Sequence, residues 1–580
     1  LKVQNNDSTN YNVAVGYDAG LSITTGTQNV LIGGKTGDAL TTGADNVAIG
    51  RASLTSDDVG NKTVAVGMNT LAAQNFTTAT DTYNTAVGYA AGTAVTTGDS
   101  NTLIGGLAGD ALTIGKNSVA VGKGALGSDV AGKESVAVGN GALFAQNFST
   151  ATNSFNVAVG SDAGVAITTG LSNTLIGGLA GDALTDADFN VAVGHQALTT
   201  DTLGSKSTAI GQGALANQNF TTATDTANTA VGFSAAGNLT TGINNTLVGF
   251  EAGDALTDAD FNVAMGRRAL YSSTKGNKSI AIGMNALHNS NHTTSTDTNN
   301  VAVGNQAGNF HTTGTLNVLI GADAGLDLTT GNKNVVVGHN ALSSGTTYDG
   351  NTAIGWEALK VADNTSGSDG NNVAIGADAA SAVTSGIRNV LIGVSCAATL
   401  RTGGGNVMLG QGTDVSAAAA ENQITIGQSI ACDQDSQVTI GKASNVVKLE
   451  FDTDATWTRS SDVRKKKNIE NSTLGLDFVN DLRPVTFEWK PNNEFPKDFT
   501  EYSEKNNMTT GVTMHGMIAQ EVKSALDKQN VDTFGGWKED NDGSQRLAQD
   551  MFIYPLIKAM QELSAQVDTL KEEIKELKNG

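Results

Sequence analysis

One short segment near the C-terminal end contains residue types that can act as a nucleophile and a base. Ser461 stands five residues before Lys466, in the segment SSDVRKKKNI that starts at Ser460. A serine hydroxyl becomes a nucleophile when an adjacent base takes its proton, and a lysine amine can be that base once desolvation favours its neutral form. The spacing alone indicates this chemistry weakly, because a basic cluster beside two serines is usually a solvated face.

The sequence around this segment strengthens the interpretation. The segment resembles the S-D-x-R-x-K-x-x-I opening of the endosialidase-type intramolecular chaperone, a self-cleaving peptidase domain at the end of phage tailspikes and fibres. Two later segments, LRPVTFEW from Leu482 and GMIAQEV from Gly516, match the same family in the family's order. Beside the serine and the lysine, the matched positions include Asp462, Arg464, Ile469, Gln520 and Glu521.

The resemblance implies a single self-cleavage just before the motif serine. It makes Ser461 the nucleophile, Lys466 the general base and Ser460–Ser461 the scissile bond, while Asp462 and Arg464 hold the geometry. The chain would act only on itself, as a serine endopeptidase in cis, with no metal, no other cofactor and no external substrate. The adjacent serine leaves the register open, and the match at Asp462 favours Ser461.

The rest of the chain is organised around a five-residue motif, first seen as NVAVG ending at Gly16. Twenty-five copies end in glycines spaced 17, 17, 17 and 21 residues apart, a set that repeats every 72 residues until the last copy at Gly441. A fixed period of this kind predicts a solenoid in which each repeat forms one turn. A second, weaker strand in each turn would make a flattened parallel β-roll, with apolar positions such as Leu21, Ile23, Leu40, Leu54 and Leu71.

Both faces of the motif strand are apolar. The third and the first residues before each closing glycine are aliphatic or Thr, and the residue between them is mostly Ala or Leu. A strand with two apolar faces must be covered on both sides. One face fills the roll, and we expect the Ala-rich face, which allows close approach, to pack against sister chains in a homotrimeric rod. The Asn that opens most copies is expected to form a polar ladder.

The rod has a family resemblance of its own. The pattern N-x-A-[VI]-G-x-x-A at 84–91 and 156–163 resembles the head repeat of trimeric autotransporter adhesins, which implies a β-roll of three chains. The extra residues of each long turn lie in loops such as NFTTATDTYN at 75–84, with a diverged fifth copy near 364–371. These loops are either glycan or receptor contacts or solvated spacers.

Composition excludes several classes of protein. The formal net charge of −22 gives no electrostatic footprint for nucleic acid. Seventy glycines with only 4 prolines argue against a collagen-like chain. The sequence contains no run of 18 apolar residues, so we expect no membrane insertion. Cys396 and Cys432 have neither metal-site nor disulfide spacing, and we expect two buried, inert thiols.

These observations predict a mainly β protein with a small α+β domain at its C-terminal end. The predicted regions are a solenoid fibre at 1–441, a linking strand segment at 442–459, the chaperone and autopeptidase domain at 460–550 and a coiled-coil helix at 551–580. The heptad positions of that helix are Ile553, Met560, Val567 and Ile574 at a, and Leu556, Leu563, Leu570 and Leu577 at d.

The functional hypothesis is a homotrimeric phage tail fibre that mediates attachment to the host surface. Its C-terminal domain would trimerise the chains, set their register and then cut itself away. The expected partners are a host receptor or glycan and other virion tail proteins, reached through an N-terminal region that precedes this sequence. The fibre would assemble in the host cytoplasm and function in the virion tail. The alternative is a trimeric bacterial surface adhesin without the usual membrane anchor.

Overall fold

The computed structural model describes residues 9–363, 369–451, 461–506, 508 and 510–579. The chain divides into two compact units, which are Leu1–Arg459 and Ser460–Gly580. The first is a long parallel β-solenoid, and the second contains the helices of the protein. The predicted fold class, mainly β with a solenoid of about 25 turns, is confirmed.

Every copy of the five-residue motif forms one strand of a single sheet. Neighbouring strands pair in parallel and in equal register, so that Val13, for example, lies opposite Val30. With about 4.8 Å between paired strands, 25 turns extend over roughly 120 Å. The strands are Val13–Val15, Val30–Ile32, Val47–Ile49, Val64–Val66, Thr85–Val87, Thr102–Ile104, Val119–Val121, Val136–Val138, Val157–Val159, Thr174–Ile176, Val191–Val193, Thr208–Ile210, Thr229–Val231, Thr246–Val248, Val263–Met265, Ile280–Ile282, Val301–Val303, Val318–Ile320, Val335–Val337, Thr352–Ile354, Val373–Ile375, Val390–Ile392, Val407–Leu409, Ile424–Gln428 and Gln437–Lys442.

The assignment of the two strand faces from the sequence is wrong. The middle residues of the strands, such as Ala48, Leu103 and Ala137, are fully buried and fill the roll. The flanking aliphatic residues point outward, and Ile176 and Ile210 remain 40% and 39% exposed. The roll is thin, so that alanines and occasional leucines suffice to fill it. The larger β-branched residues therefore form an apolar stripe on the outside, called the outer stripe below.

The second strand predicted in each turn is also absent from the described solenoid. The segment after Gly16 forms consecutive turns instead, with positive φ at Asp18 and Gly20. Backbone in the left-handed region cannot continue a strand. Neighbouring turns are still joined by hydrogen bonds, as from the Gly20 N–H to the Thr36 carbonyl at 3.0 Å. The apolar residues expected there, Ile23, Leu40, Leu54 and Leu71, are buried, while Leu21 is half-buried.

The closing glycine is required by close stacking of the turns. At Gly33 φ is 141°, and a Cβ atom there would lie 2.5 Å from the carbonyl oxygen of Gly50. The predicted polar ladder is confirmed. The N–H of Asn46 donates to Oδ1 of Asn29 at 3.0 Å, and Nδ2 of Asn46 donates to the Gly60 carbonyl at 2.9 Å. Side-chain amides thus satisfy backbone groups that the roll buries.

The long turns add short strands beside the main sheet. In the first of them, Phe76 and Thr82 are buried while residues 77–79 are exposed. Residues 364–368 of the fifth predicted loop lie outside the described part. The short parallel pairs are Gly60–Asn61 with Thr80–Asp81, Gly132–Lys133 with Thr152–Asn153, Gly204–Ser205 with Thr224–Asp225 and Gly276–Asn277 with Thr296–Asp297.

The last turns of the solenoid hold both cysteines and close the sheet. Cys396 and Cys432 are buried and form no disulfide, as expected, and burial raises the pKa of Cys396 to about 12. Asn445–Glu450 then pairs antiparallel with Gln437–Lys442. This final strand lies within the segment predicted to link the two regions.

In the second unit, helix α1 spans Leu476–Asp481, α2 spans Ala519–Lys528 and α3 spans Ile553–Asn579. The short helix α1 packs against both the short helix α2 and the long helix α3. The core contains Phe478 and Phe552, whose rings both contact Phe534 edge to face. The remaining elements are the antiparallel pairs Val485–Phe487 with Met514–Gly516 and Trp537–Glu539 with Gln545–Leu547, and the 3-10 helices Val463–Lys465, Asn492–Glu494 and Gln549–Phe552.

Most of α3 extends beyond this core with its apolar heptad positions uncovered. Leu563, Leu570 and Ile574 are 44%, 54% and 50% exposed. Near the start of the helix, Glu562 accepts a hydrogen bond from the Leu476 N–H at 2.7 Å and so fixes α1 against α3. Among the described residues, no helix combines the length and hydropathy needed to cross a membrane.

Candidate active site

The candidate nucleophile and base contact each other directly. Nζ of Lys466 lies 2.7 Å from Oγ of Ser461 and donates to it. The 3-10 helix Val463–Lys465 turns the chain between them and so brings together two side chains five residues apart. Both residues are exposed. The contact places the hydroxyl oxygen within hydrogen-bond distance of the amine nitrogen, which is the geometry that proton transfer between them needs.

Asp462 and Arg464 hold this turn. Oδ1 of Asp462 accepts from the Arg464 N–H at 2.8 Å and caps the short helix. The guanidinium of Arg464 binds the same carboxylate through Nε at 3.0 Å and Nη2 at 2.6 Å. These bonds from Arg464 lower the pKa of Asp462 to about 2, so that the carboxylate stays charged at neutral pH. Neither side chain contacts the Ser461 hydroxyl in the described contacts, and both stabilise the turn between Ser461 and Lys466.

The other predicted positions occupy different places. Ser460, the residue before the predicted scissile bond, lies outside the described residues. Ile469 is 63% exposed and belongs to no helix or strand. Gln520 and Glu521 lie in the first turn of α2, which places them in another part of the unit from the Ser461–Lys466 contact.

An ion pair joins two of the predicted motifs. The guanidinium of Arg483 binds the carboxylate of Glu521 through two nitrogens, with Nε at 3.0 Å from Oε2. This contact lowers the pKa of Glu521. The sequence motifs indicated Glu521 and the segment that contains Arg483, but they did not indicate that the two side chains form an ion pair. The opposite charges of Arg483 and Glu521, each inside a mostly apolar motif, were the available signal.

A surface groove lies beside this ion pair. Its lining includes Pro484, Phe487, Trp489, His515, Gln520 and Arg546. The rings of Phe487 and Trp489 meet edge to face at 5.3 Å, and Trp489 is 50% exposed. The motif segments therefore form one partly apolar surface. No group of three or more His, Cys, Asp or Glu residues in the described part of the chain could hold a metal ion.

Comparison with known proteins finds a family similarity in this region. Residues 461–530 match the family described as chaperone of endosialidase. The match begins at Ser461 and includes the Arg483–Glu521 pair. No curated protein and no solved structure matches the chain. The C-terminal region is thus similar to the family that its three motifs indicated. A long β-solenoid followed by such a domain fits a protein of the phage tail fibre or tailspike type.

Proposed function

We propose that this chain is a phage tail fibre protein whose C-terminal unit aligns three copies and then cuts itself off before Ser461. The observation that supports this most strongly is the 2.7 Å contact between Lys466 Nζ and Ser461 Oγ at the first residue of the family match. In this proposal the solenoid is the rod that reaches the host surface in the assembled virion.

The proposed reaction is an attack by the serine on its own preceding peptide bond. Lys466 takes the proton of the Ser461 hydroxyl, and Oγ forms a bond to the carbonyl carbon of Ser460. The C–N bond then breaks, its electron pair stays on nitrogen, and the ammonium proton of Lys466 passes to the new amine. Water hydrolyses the resulting ester, which leaves a carboxylate on Ser460 and a free hydroxyl and amine on Ser461.

The lysine must first lose the proton that it donates to the serine. Water favours the ammonium form of an exposed lysine, whereas burial favours the neutral amine. Lys466 is exposed in the single chain. We therefore propose that trimer formation activates the lysine. Contact with sister chains would cover Ser461 and Lys466 and favour the neutral amine, so that cleavage follows assembly.

Two uncovered apolar surfaces support association of identical chains. One is the outer stripe of the solenoid, where Val159 and Ile320 are 36% and 39% exposed. The other is the heptad seam of α3, where Met560 is 67% exposed. Long apolar surfaces of this kind indicate contacts with other chains, and identical chains supply the same surfaces to one another.

Because the turns of the solenoid are nearly identical, three rods need a separate unit to set their register. Two rods can pair with a shift of 17 or 72 residues and still make nearly the same outer-stripe contacts, so that register must be imposed from one end. A C-terminal trimer supplies that fixed point. Once the three rods have associated along their length, the C-terminal unit is no longer needed and can be removed.

Gel electrophoresis of the expressed chain tests the cleavage. The parent should give two bands, and the N-terminal residue of the smaller product should be Ser461. Ser461→Ala should give one full-length band, because loss of the attacking oxygen removes the ester route. Ser460→Ala is the matched control and should still cleave. Cleavage of Ser461→Ala, or its loss only in Ser460→Ala, would refute the proposed nucleophile.

A further inference from the structure

One column of side chains inside the solenoid changes character along the rod. It consists of the residues seven positions after each closing glycine, which stack on successive turns. In the first period the column reads Ile23, Leu40, Asp57 and Gln74. The next two periods repeat two aliphatic residues followed by Asp and Gln.

The buried Asp and Gln form a closed hydrogen-bond network in each of these periods. In the second period, Nε2 of Gln146 donates to Oδ2 of Asp129 at 2.7 Å and to Oγ of Ser135 at 2.8 Å. Oε1 of Gln146 accepts from Asn156 at 3.0 Å. The backbone N–H of Phe148 donates to Asp129 at 3.2 Å, and the Phe148 side chain is itself buried.

Three members of this arrangement are replaced in the fourth period, and a fourth is replaced at the start of the fifth. Ser273 and Ser290 take the places of Asp and Gln, and His292 takes the place of the phenylalanine. The next position in the column, aliphatic in the earlier periods, is His311. All four are buried, and Ser273 Oγ, Ser290 Oγ, His292 Nε2 and His311 Nδ1 have no hydrogen-bond partner among the described contacts. Four unpartnered polar atoms therefore cluster where the other periods have none.

The surroundings disfavour positive charge on the two rings. Burial lowers the pKa of His292, and burial with the charge of His292 lowers the pKa of His311 to about 4, against an opposing hydrogen bond with the Gly314 backbone. The loops around the cluster carry Lys275, Lys278 and Asp297, and these are engaged at the surface. Lys275 pairs with Asp258 at 3.4 Å, and Lys278 pairs with Asp297. No carboxylate among the described contacts reaches either ring.

We propose that the cluster of Ser273, Ser290, His292 and His311 is an acid-labile point of the rod, where the roll opens locally when the histidines take up protons. In the opened segment the rings reach water and titrate near their ordinary pKa of 6.5. Stability from the neutral buried rings is fully present above that pH. It is lost progressively as pH falls toward the lower pKa of the folded state.

The second period responds in the opposite direction. Burial raises the pKa of Asp129 above 3.8, so that its protonated form is favoured in the fold. Its contribution is present at low pH and is lost as pH rises through the raised pKa. Acid therefore loosens the fourth period and not the second, which gives a control within the same molecule.

Hydrogen exchange on the full-length chain at pH 7.5 and pH 5.0 tests the proposal, after correction for intrinsic exchange rates. The protection of Ile280–Ile282 and Val301–Val303 should fall roughly 30-fold from the pKa shift of His311 alone. The protection of Val136–Val138 and Val157–Val159 should hold or increase. The variant Ser273→Asp, Ser290→Gln, His292→Phe, His311→Leu restores the earlier periods and should abolish the selective loss.

Four results would overturn the proposal. One is undiminished protection of the fourth period at pH 5.0, and another is an equal loss in both periods. The third is an increase in protection at pH 7.5 on addition of Zn²⁺ that His292→Phe removes, because the ring nitrogens would then hold a metal ion. A selective loss that the restored variant retains would likewise exclude the histidines as its cause.

Discussion

The interior of the solenoid and the Ser461–Lys466 site differ in how far one chain completes them. Inside the first periods, each buried amide or carboxylate finds its partner on a neighbouring turn, as Gln146 does with Asp129. At the C-terminal site, the candidate nucleophile and base are exposed, and so are the heptad positions of α3. A single chain thus completes its own interior but leaves uncovered the surfaces that we propose contact other copies.

The same contrast exists within the rod, between its inner and outer faces. Ala137 is fully buried, whereas Ile210, on the other face of an equivalent strand, keeps 39% of its surface exposed. The inner face needs only the next turn of the same chain. The outer face, like the heptad positions of α3, is left uncovered by the single chain, and under the proposed assembly it would contribute to stability only when sister chains cover it.

Substitution of a closing glycine should give the largest effect on the rod. Gly105→Ala places a Cβ against the Gly122 carbonyl at a φ of 137°, where strain alone costs on the order of 1–3 kcal/mol. Because backbone atoms cannot move aside, we expect the turns to separate there and limited proteolysis to cut nearby. Gly106→Ala is the control, since a Cβ there meets nothing within 4 Å. Equal resistance of the two variants would contradict the stacking account.

A smaller effect is expected from the buried network. Gln146→Ala removes the donor to Asp129 and should lower the free energy of unfolding by about 3 kcal/mol, measured by urea denaturation. The lost bond normally lowers the pKa of Asp129, so that the deficit should shrink as the carboxylate is protonated in acid. The exposed neighbour Asn147 provides the control, and Asn147→Ala should leave stability within about 0.5 kcal/mol. A deficit independent of pH would exclude the carboxylate as its source.

The period of the sequence predicted much of the rod. Twenty-five glycine-terminated motifs became 25 strands in register, and the Asn ladder followed from their spacing. The orientation of the strand did not follow, because alternation separates the two faces without indicating which lies inside. Ala48 and Ile176 are both apolar, and the width of the roll decides between them. The turns that replace the predicted second strand were not predicted either, because residues such as Asp18 and Leu54 adopt positive φ although they are not glycines.

The candidate site was predictable because it is local. Ser461, Asp462, Arg464 and Lys466 lie within six residues, and one turn capped by Asp462 brings Lys466 into contact with Ser461. The Arg483–Glu521 pair was not foreseen, because its members lie 38 positions apart and meet only through tertiary packing. The histidine cluster was not predicted from the sequence either, because the sequence does not show which polar side chains are buried without a hydrogen-bond partner.

The central claim, that assembly precedes and activates cleavage, is tested by native mass spectrometry of the freshly refolded chain over time. Trimers of full-length chains should appear first, and the fragment starting at Ser461 should appear only after them. Leu570→Glu, which places a charge in the α3 seam, should remain a single uncut chain, while the neighbouring Thr569→Glu should assemble and cleave like the parent. Release of the fragment from single chains, or full cleavage by Leu570→Glu without trimers, would contradict the account.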